Sequence, residues 1–128
     1  MTDLHIDATS RTPAVTLDTA AGSLTIKGES YPEDVTAFYA QLTSALDEFF
    51  SGDAAGLTTQ IKLTYFNSSS ARALMELLEL LDDAADRGAT VKVDWFCDPD
   101  DDITREFAED IAAEVSHASV SILDLDAD

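Results

Sequence analysis

Three adjacent serine hydroxyls follow an asparagine in the middle of the chain, and their position suits phosphoryl chemistry. Ser68, Ser69 and Ser70 come after Asn67, where an alternating apolar pattern changes to a helical one. A strand that runs directly into a helix leaves hydroxyls beside unpaired backbone N–H groups, at the positive end of the helix dipole. A phosphoryl group is stabilised in that environment. Serine is also a favoured N-terminal capping residue, so helix capping alone is the alternative explanation.

A run of aspartates, Asp98–Asp102, is the other polar cluster that could do chemistry. Its carboxylates are hard oxygen ligands of the kind that Mg²⁺ and Ca²⁺ prefer, but it lacks the glycine and the distant glutamate of an EF-hand loop. A solvated loop before a helix is the favoured interpretation. His5, His117 and Cys97 are too few and too scattered to predict a transition-metal site or a nucleophile with its base. We therefore predict no metal, no cofactor and no enzymatic activity.

Apolar periodicity predicts the elements that must position these residues. Strands with a period of two are predicted within residues 14–18, 23–28, 61–66, 90–96 and 118–122. Helices with one apolar face are predicted within residues 35–49, 71–85 and 103–115. The order is β-β-α-β-α-β-α-β in a single domain over residues 1–128, and residues 1–12 and 124–128 are predicted to be loose tails.

The strand before the serines is predicted to place Ile61, Leu63 and Tyr65 on the core face. The predicted strands alternate instead of being apolar throughout, as strands buried on both faces would be. The sequence therefore predicts an α/β fold with a mixed sheet of about five strands and three helices mainly on one face. Ser30 and Glu33 have the spacing of a capping box before the first helix.

Acidity is the strongest compositional feature. The chain has 26 acidic and 7 basic residues, a formal net charge of −19. Such a surface repels nucleic acid and anionic membranes, because binding to either depends on lysine and arginine. It attracts a partner with a basic contact face, although adaptation to high salt would also explain the acidity. The single cysteine, Cys97, and the absence of an apolar run or leader pattern near the start predict a cytoplasmic protein.

Several segments, in the right order, resemble the SiaC family of regulatory phosphoproteins. They are Thr12-Pro13, GSLTIKG at 22–28, ESYPE at 29–33, YFNSSS at 65–70 and VDWF at 93–96. The resemblance implies a fold similar to the STAS-type anti-sigma factor antagonists. It also implies partner switching: a dedicated serine/threonine kinase phosphorylates the protein, a PP2C-type phosphatase restores it, and one state alone binds a target such as a diguanylate cyclase.

The resemblance implies that the modified residue is the hydroxyl directly after the asparagine. That residue is Ser68 here, where the family usually has threonine, and Ser69 and Ser70 are alternative acceptors because they adjoin it. We expect the unphosphorylated junction to dock on the target. The expected partner-binding residues are Asn67, Ser69, Ser70, Ser30, Tyr31, Pro32 and Glu33.

Two other functions are compatible with the sequence. One is an anti-anti-sigma factor that acts on an anti-sigma kinase, although those proteins more often have Asp-Ser-Ser-Gly where this chain has Asn67 and three serines. The other is a small divalent-metal-binding protein that uses the Asp98–Asp102 loop.

Overall fold

Strands and helices alternate along most of the chain in the computed structural model, which describes residues 3–51 and 56–125. The strands are β1 Leu4–Ile6, β2 Ala14–Asp18, β3 Ser23–Ser30, β4 Gly56–Phe66, β5 Thr90–Cys97 and β6 Ser119–Asp124. The helices are α1 Val35–Ser51, α2 Ser68–Asp86 and α3 Asp102–Glu114. No helix in these two ranges is long and apolar enough to cross a membrane.

The six strands form one mixed sheet in which neighbours in space are neighbours in sequence, β1-β2-β3-β4-β5-β6. The pairs β1/β2 and β2/β3 are antiparallel, whereas β3, β4, β5 and β6 are parallel. Each helix connects one parallel strand to the next in the same direction. Because such crossovers are right-handed, all three helices cover the same face. The predicted mixed sheet with helices on one face is confirmed.

Both ends of the chain contribute more to the sheet than the sequence predicts. In β1, His5 pairs with Thr16, while Leu4 and Ile6 pack against the core, so the prediction of a loose tail over residues 1–12 is wrong there. At the other end β6 includes Asp124. Residues 126–128 of the second predicted tail lie outside the described residues. The sheet therefore has six strands instead of about five.

The hydrophobic core lies between the helices and the covered face of the sheet. Its largest fully buried side chain is Trp95 on β5, with a relative exposure of 0%. The helices contribute mainly leucines, at the positions where the helical period returns to the same face. These leucines are Leu42, Leu46, Leu74, Leu77, Leu78 and Leu81.

The opposite face of the sheet is uncovered and carries all three lysines of the chain, Lys27, Lys62 and Lys92. Lys27 and Lys62 are direct register partners on β3 and β4. The Lys62 ammonium lies 5.1 Å from the centroid of the Phe96 ring, a cation–π contact. The uncovered face also carries Asp94, 4.0 Å from Lys92, whereas the acidic residues of α1, α2 and α3 lie on the helix side.

Candidate functional site

A β-bulge shapes the end of β4 just before the serines. Gly28 pairs with Leu63 but Glu29 pairs with Tyr65, so Thr64 is an extra residue in β4. Such an insertion shifts the alternation of the following side chains. Tyr65 is consequently 53% exposed, and the prediction that it shares the core face of Ile61 is wrong. Phe66 turns inward instead and packs against the core.

Asn67, and not a serine, caps the helix that follows. Its backbone is extended, with φ −88° and ψ 178°, and its side-chain oxygen accepts a hydrogen bond from the Ser70 N–H at 2.9 Å. Its carbonyl accepts the first intrahelical bond, from the Ala71 N–H at 2.9 Å. Capping by one of the serines, the alternative explanation drawn from the sequence, is therefore wrong, and Ser68 is the first helical residue. Its hydroxyl is not used as the cap.

The three serines have different environments. Ser68 and Ser69 are exposed, whereas Ser70 is fully buried. The Ser30 hydroxyl donates to the Ser70 oxygen at 2.8 Å and lies 2.6 Å from the Tyr39 hydroxyl, which therefore donates to Ser30. Burial raises the pKa of Tyr39, so its phenol stays protonated and able to donate. These hydroxyls join α1, β3 and the first turn of α2.

Two of the residues expected to contact a partner are buried instead. Ser30 and Ser70 have no exposed surface, so their side chains support the site from beneath and do not contact a partner in this conformation. Nor does Ser30 cap the first helix, because it belongs to β3. The Asp34 carboxylate takes that role, accepting a hydrogen bond from the Ala37 N–H at 3.0 Å. Ser68 and Ser69 remain the accessible acceptors.

We expect Ser70→Ala to destabilise the protein by about 1–2 kcal/mol, because it leaves the buried Ser30 hydroxyl without its acceptor. The adjacent exposed Ser69→Ala should change the free energy of unfolding by less than about 0.5 kcal/mol. Urea unfolding followed by circular dichroism measures both. Equal stabilities for the two variants would contradict the buried hydroxyl chain.

The Ser30–Glu33 segment lies directly beside the Asn67 junction, as the site prediction requires. The Asn67 N–H donates to the Ser30 carbonyl at 3.1 Å, and the Tyr31 ring meets the Tyr65 ring edge-on at 5.6 Å. The Glu33 carboxylate lies 2.7 Å from the Arg11 guanidinium. Pro32 is partly exposed. Tyr31, Pro32 and Glu33 are thus accessible at the same edge of the sheet as Ser68.

Ser68 and Ser69 face different grooves. Ser69 lines a groove between α1 and α2, together with Tyr39 and Arg72. Ser68 lines an apolar groove of about 320 Å³ between β4 and α3, whose walls include Tyr65 and Ile103. The two adjacent exposed hydroxyls therefore lie in different surroundings.

Ile103 is a residue of this edge that sequence periodicity misplaces. Its helical spacing with Phe107 predicts an inward position, but it is 83% exposed. It lies in the first turn of α3, whose buried residues, Ala108 and Ile111, come later in the helix. A bulky apolar residue directly after an aspartate run is the signal that could have identified it.

The aspartate loop is held by its own hydrogen bonds. The Asp98 carboxylate accepts from the Asp100 N–H at 2.9 Å, and Asp101 caps α3 by accepting from the Thr104 N–H at 3.0 Å and from the Thr104 hydroxyl at 2.6 Å. These bonds lower the pKa of Asp101. Among residues 3–51 and 56–125 no three His, Cys, Asp or Glu side chains are grouped to hold a metal ion. The loop is an acidic helix start.

These features meet at the carboxyl ends of the parallel strands β3, β4 and β5, where open α/β sheets usually bind their ligands. An exposed hydroxyl at a helix N-terminus lies there, beside an apolar groove and an acidic rim. The arrangement places an exposed hydroxyl and an apolar groove side by side at this edge. Cys97 is buried, and burial raises the pKa of its thiol, so it supplies no nucleophile to this edge.

Comparison with known proteins identifies the family of this chain. The sequence model of the SiaC family of regulatory phosphoproteins matches residues 6–125. An uncharacterised protein from Pseudomonas aeruginosa strain UCBPP-PA14 is 34% identical over 116 residues, which are 91% of this chain and 92% of that protein.

Two crystal structures from Pseudomonas aeruginosa have the same fold. Apo-SiaC matches with a TM-score of 0.88 at 33% identity, over 96% of this chain and 99% of that one. A chain in the complex of the diguanylate cyclase SiaD with its activator SiaC matches with a TM-score of 0.90 at 32% identity, over 96% of this chain and 100% of that one. The sequence resemblance is thereby confirmed: the chain belongs to the SiaC family of regulatory phosphoproteins.

Proposed function

We propose that this protein is a partner-switching regulator controlled by phosphorylation of Ser68. In the unphosphorylated state it binds a downstream signalling protein, and a diguanylate cyclase is the target that we favour. A serine/threonine kinase adds the phosphoryl group and a PP2C-type phosphatase removes it. The protein acts in the cytoplasm by binding and not by catalysis.

The observation that carries this proposal is that Ser68 is exposed at the start of α2 and that Asn67, not Ser68, caps the helix. A kinase can reach this hydroxyl without unfolding the helix. The phosphate would then lie at the positive end of the helix dipole, which favours an anion by about 0.3–1 kcal/mol. Arg72 is four residues further along, where helical neighbours pair, and its exposed guanidinium lies 3.9 Å from the Glu76 carboxylate, a solvent-exposed contact that it could exchange for the phosphate. The free protein can therefore accept the added charge.

The same charge is unfavourable at a docked surface. Phosphorylation adds about −1.5 to −2 charges at neutral pH. When docking removes water from the phosphate, the partner has to supply opposite charge or hydrogen bonds in its place. Without them the free energy of binding is less favourable by several kcal/mol. At about 1.4 kcal/mol per decade of affinity, that loss is large enough to act as a switch.

The choice of target rests on the structural neighbours. SiaC of Pseudomonas aeruginosa activates the diguanylate cyclase SiaD, and a chain of that complex covers nearly all of this one. This neighbour favours a cyclase over an anti-sigma kinase as the target. The hydrogen-bonded Asp98 and Asp101 carboxylates give no corresponding support to a metal-binding function.

Incubation with the cognate kinase and ATP tests the acceptor. We expect one added phosphoryl group on the intact chain and fragment ions that assign it to Ser68. The Ser68→Ala variant should remain unmodified, whereas Ser69→Ala should be modified like the natural chain. Modification that persists fully in Ser68→Ala would refute the assignment.

A further inference from the structure

We propose that the groove beside Ser68 binds an apolar side chain on a basic segment of the partner protein, and that Ile103 is the central contact. This inference rests on the proposed function and identifies the surface through which it acts. The groove is defined by Tyr65, Ser68 and Ile103 on its walls and by Phe66 and Phe107 beneath them.

The apolar surface of the groove is unusual for a chain this acidic. Ile103 is 83% exposed and Tyr65 53%, the two highest values among large hydrophobic side chains in the described parts of the chain. Apolar area in contact with water is unfavourable, and contiguous exposed apolar patches commonly mark interaction sites. A partner side chain that fills the groove would remove this area from water.

The groove is held in shape before any partner arrives. Phe107 packs against Phe66 at 5.3 Å and against the buried Trp95 at 6.0 Å, measured between ring centroids. The Asp101 carboxylate fixes Thr104 and with it the first turn of α3. The aromatic floor and the first turn of α3 therefore lose little conformational freedom on binding, and such preorganisation favours affinity.

Charge around the groove specifies the chemistry of the partner. Asp101 lines the groove, and it stays ionised because its hydrogen bonds to Thr104 lower its pKa. The other aspartates of the 98–102 loop adjoin Asp101 in sequence and extend this acidic rim away from the groove. Complementary charge steers association and excludes wrong partners. A segment that carries arginine or lysine beside its apolar anchor fits this rim. A second copy of the chain does not, since two molecules of net charge −19 with acidic rims repel each other.

The position of Ser68 explains how phosphorylation would control this contact. Ser68 lines the same groove as Ile103, so a phosphate there lies against the apolar anchor. Central, desolvated contacts dominate protein interfaces, and water is excluded around them. A charge at that centre prevents the desolvation. Ser69 lies in the groove between α1 and α2 and lacks this effect.

Titration calorimetry with the diguanylate cyclase of the same organism tests the proposal. Ile103→Asp should weaken binding about 30-fold or more, as loss of a central contact does, while Ile103→Leu should bind nearly like the natural chain. Leu123→Asp is the matched control, because Leu123 is 39% exposed on the uncovered sheet face. It should bind within about twofold of the natural chain. Circular dichroism checks that all variants are folded, and added salt should slow association.

Each outcome decides a separate point. If Ser68→Glu no longer binds the cyclase but Ile103→Asp binds normally, the groove is not the contact surface. Only the proposed switch at Ser68 is then supported. If Ile103→Asp no longer binds the cyclase but Ser68→Glu binds normally, the groove is supported as the contact surface and the proposed switch at Ser68 is wrong. Self-association that disappears with Ile103→Asp would assign the groove to a second copy instead. No binding of the cyclase by any variant would overturn both proposals.

Discussion

Ser68→Glu lowers the affinity for the diguanylate cyclase by about 100-fold in our account, while Ser68→Ala leaves it within a factor of about three. Alanine removes a hydroxyl that is exposed and makes no capping bond, so the surface keeps its shape. Glutamate places a carboxylate against Ile103 and Tyr65 in the groove, where docking would strip it of water. A phosphate carries more charge and should release the partner further.

Ser69→Glu is the matched control for this effect. It introduces the same charge one residue away, at the same helix end, but into the groove between α1 and α2. Its affinity should stay within about tenfold of the natural chain if the apolar groove is the docking surface. Equal losses for Ser68→Glu and Ser69→Glu would mean that general repulsion, and not a local contact, controls binding.

Trp95→Ala should destabilise the protein by about 3–5 kcal/mol, the range for loss of a fully buried aromatic side chain. Trp95 has no exposed surface and lies under Phe107, which in turn supports Phe66 at the end of β4. Removing the indole therefore opens a cavity beneath the groove as well as in the core. Unfolding in guanidinium measures the loss of stability. The variant should also bind the cyclase more weakly, because the groove loses its support.

Trp95→Phe separates packing from polarity. The indole N–H has no hydrogen-bond partner within the described structure, so phenylalanine removes an unpaired donor while keeping a ring against Phe107. We expect a cost below about 2 kcal/mol. A loss as large as that of Trp95→Ala would mean that the indole nitrogen makes a contact that this account omits.

Local patterns were sufficient for most of the fold. Helical spacing predicts one apolar face on α1, formed by Val35, Phe38, Tyr39, Leu42, Ala45, Leu46 and Phe49. Four of these residues are buried, and Val35, Phe38 and Ala45 are partly buried against the core. The two alternating runs predicted at residues 14–18 and 23–28 are the strands β2 and β3, which pair antiparallel. β1 is missed because three residues are too few to establish an alternating pattern.

The site was harder to predict, because its geometry depends on contacts between distant residues. The bulge at Thr64 turns Tyr65 outward, and it arises from pairing with β3 and not from the β4 sequence. Ser70 is buried because Ser30, forty residues earlier, supplies its hydrogen-bond partner. Asp82 accepts hydrogen bonds from the backbone N–H groups of residues 116–118, and no local pattern in the sequence indicates that bond.

The family resemblance supplied what the residues alone could not. Three consecutive serines are equivalent by composition, and the resemblance alone singles out Ser68. The structure shows that Ser70 is buried and that the exposed hydroxyls of Ser68 and Ser69 lie in different grooves. Exposure therefore leaves Ser68 and Ser69 as the accessible hydroxyls among the three serines. These two differ in the chemistry of the grooves that they line.

Reversal of phosphorylation on a single preparation tests the central claim most directly. The protein is phosphorylated by its kinase, its affinity for the cyclase is measured, and the measurement is repeated after a PP2C-type phosphatase has removed the phosphate. We predict weak binding while Ser68 carries the phosphate and full recovery of affinity afterwards, in step with the phosphate lost from Ser68 by mass spectrometry. Binding that is equally tight in both states would contradict the account.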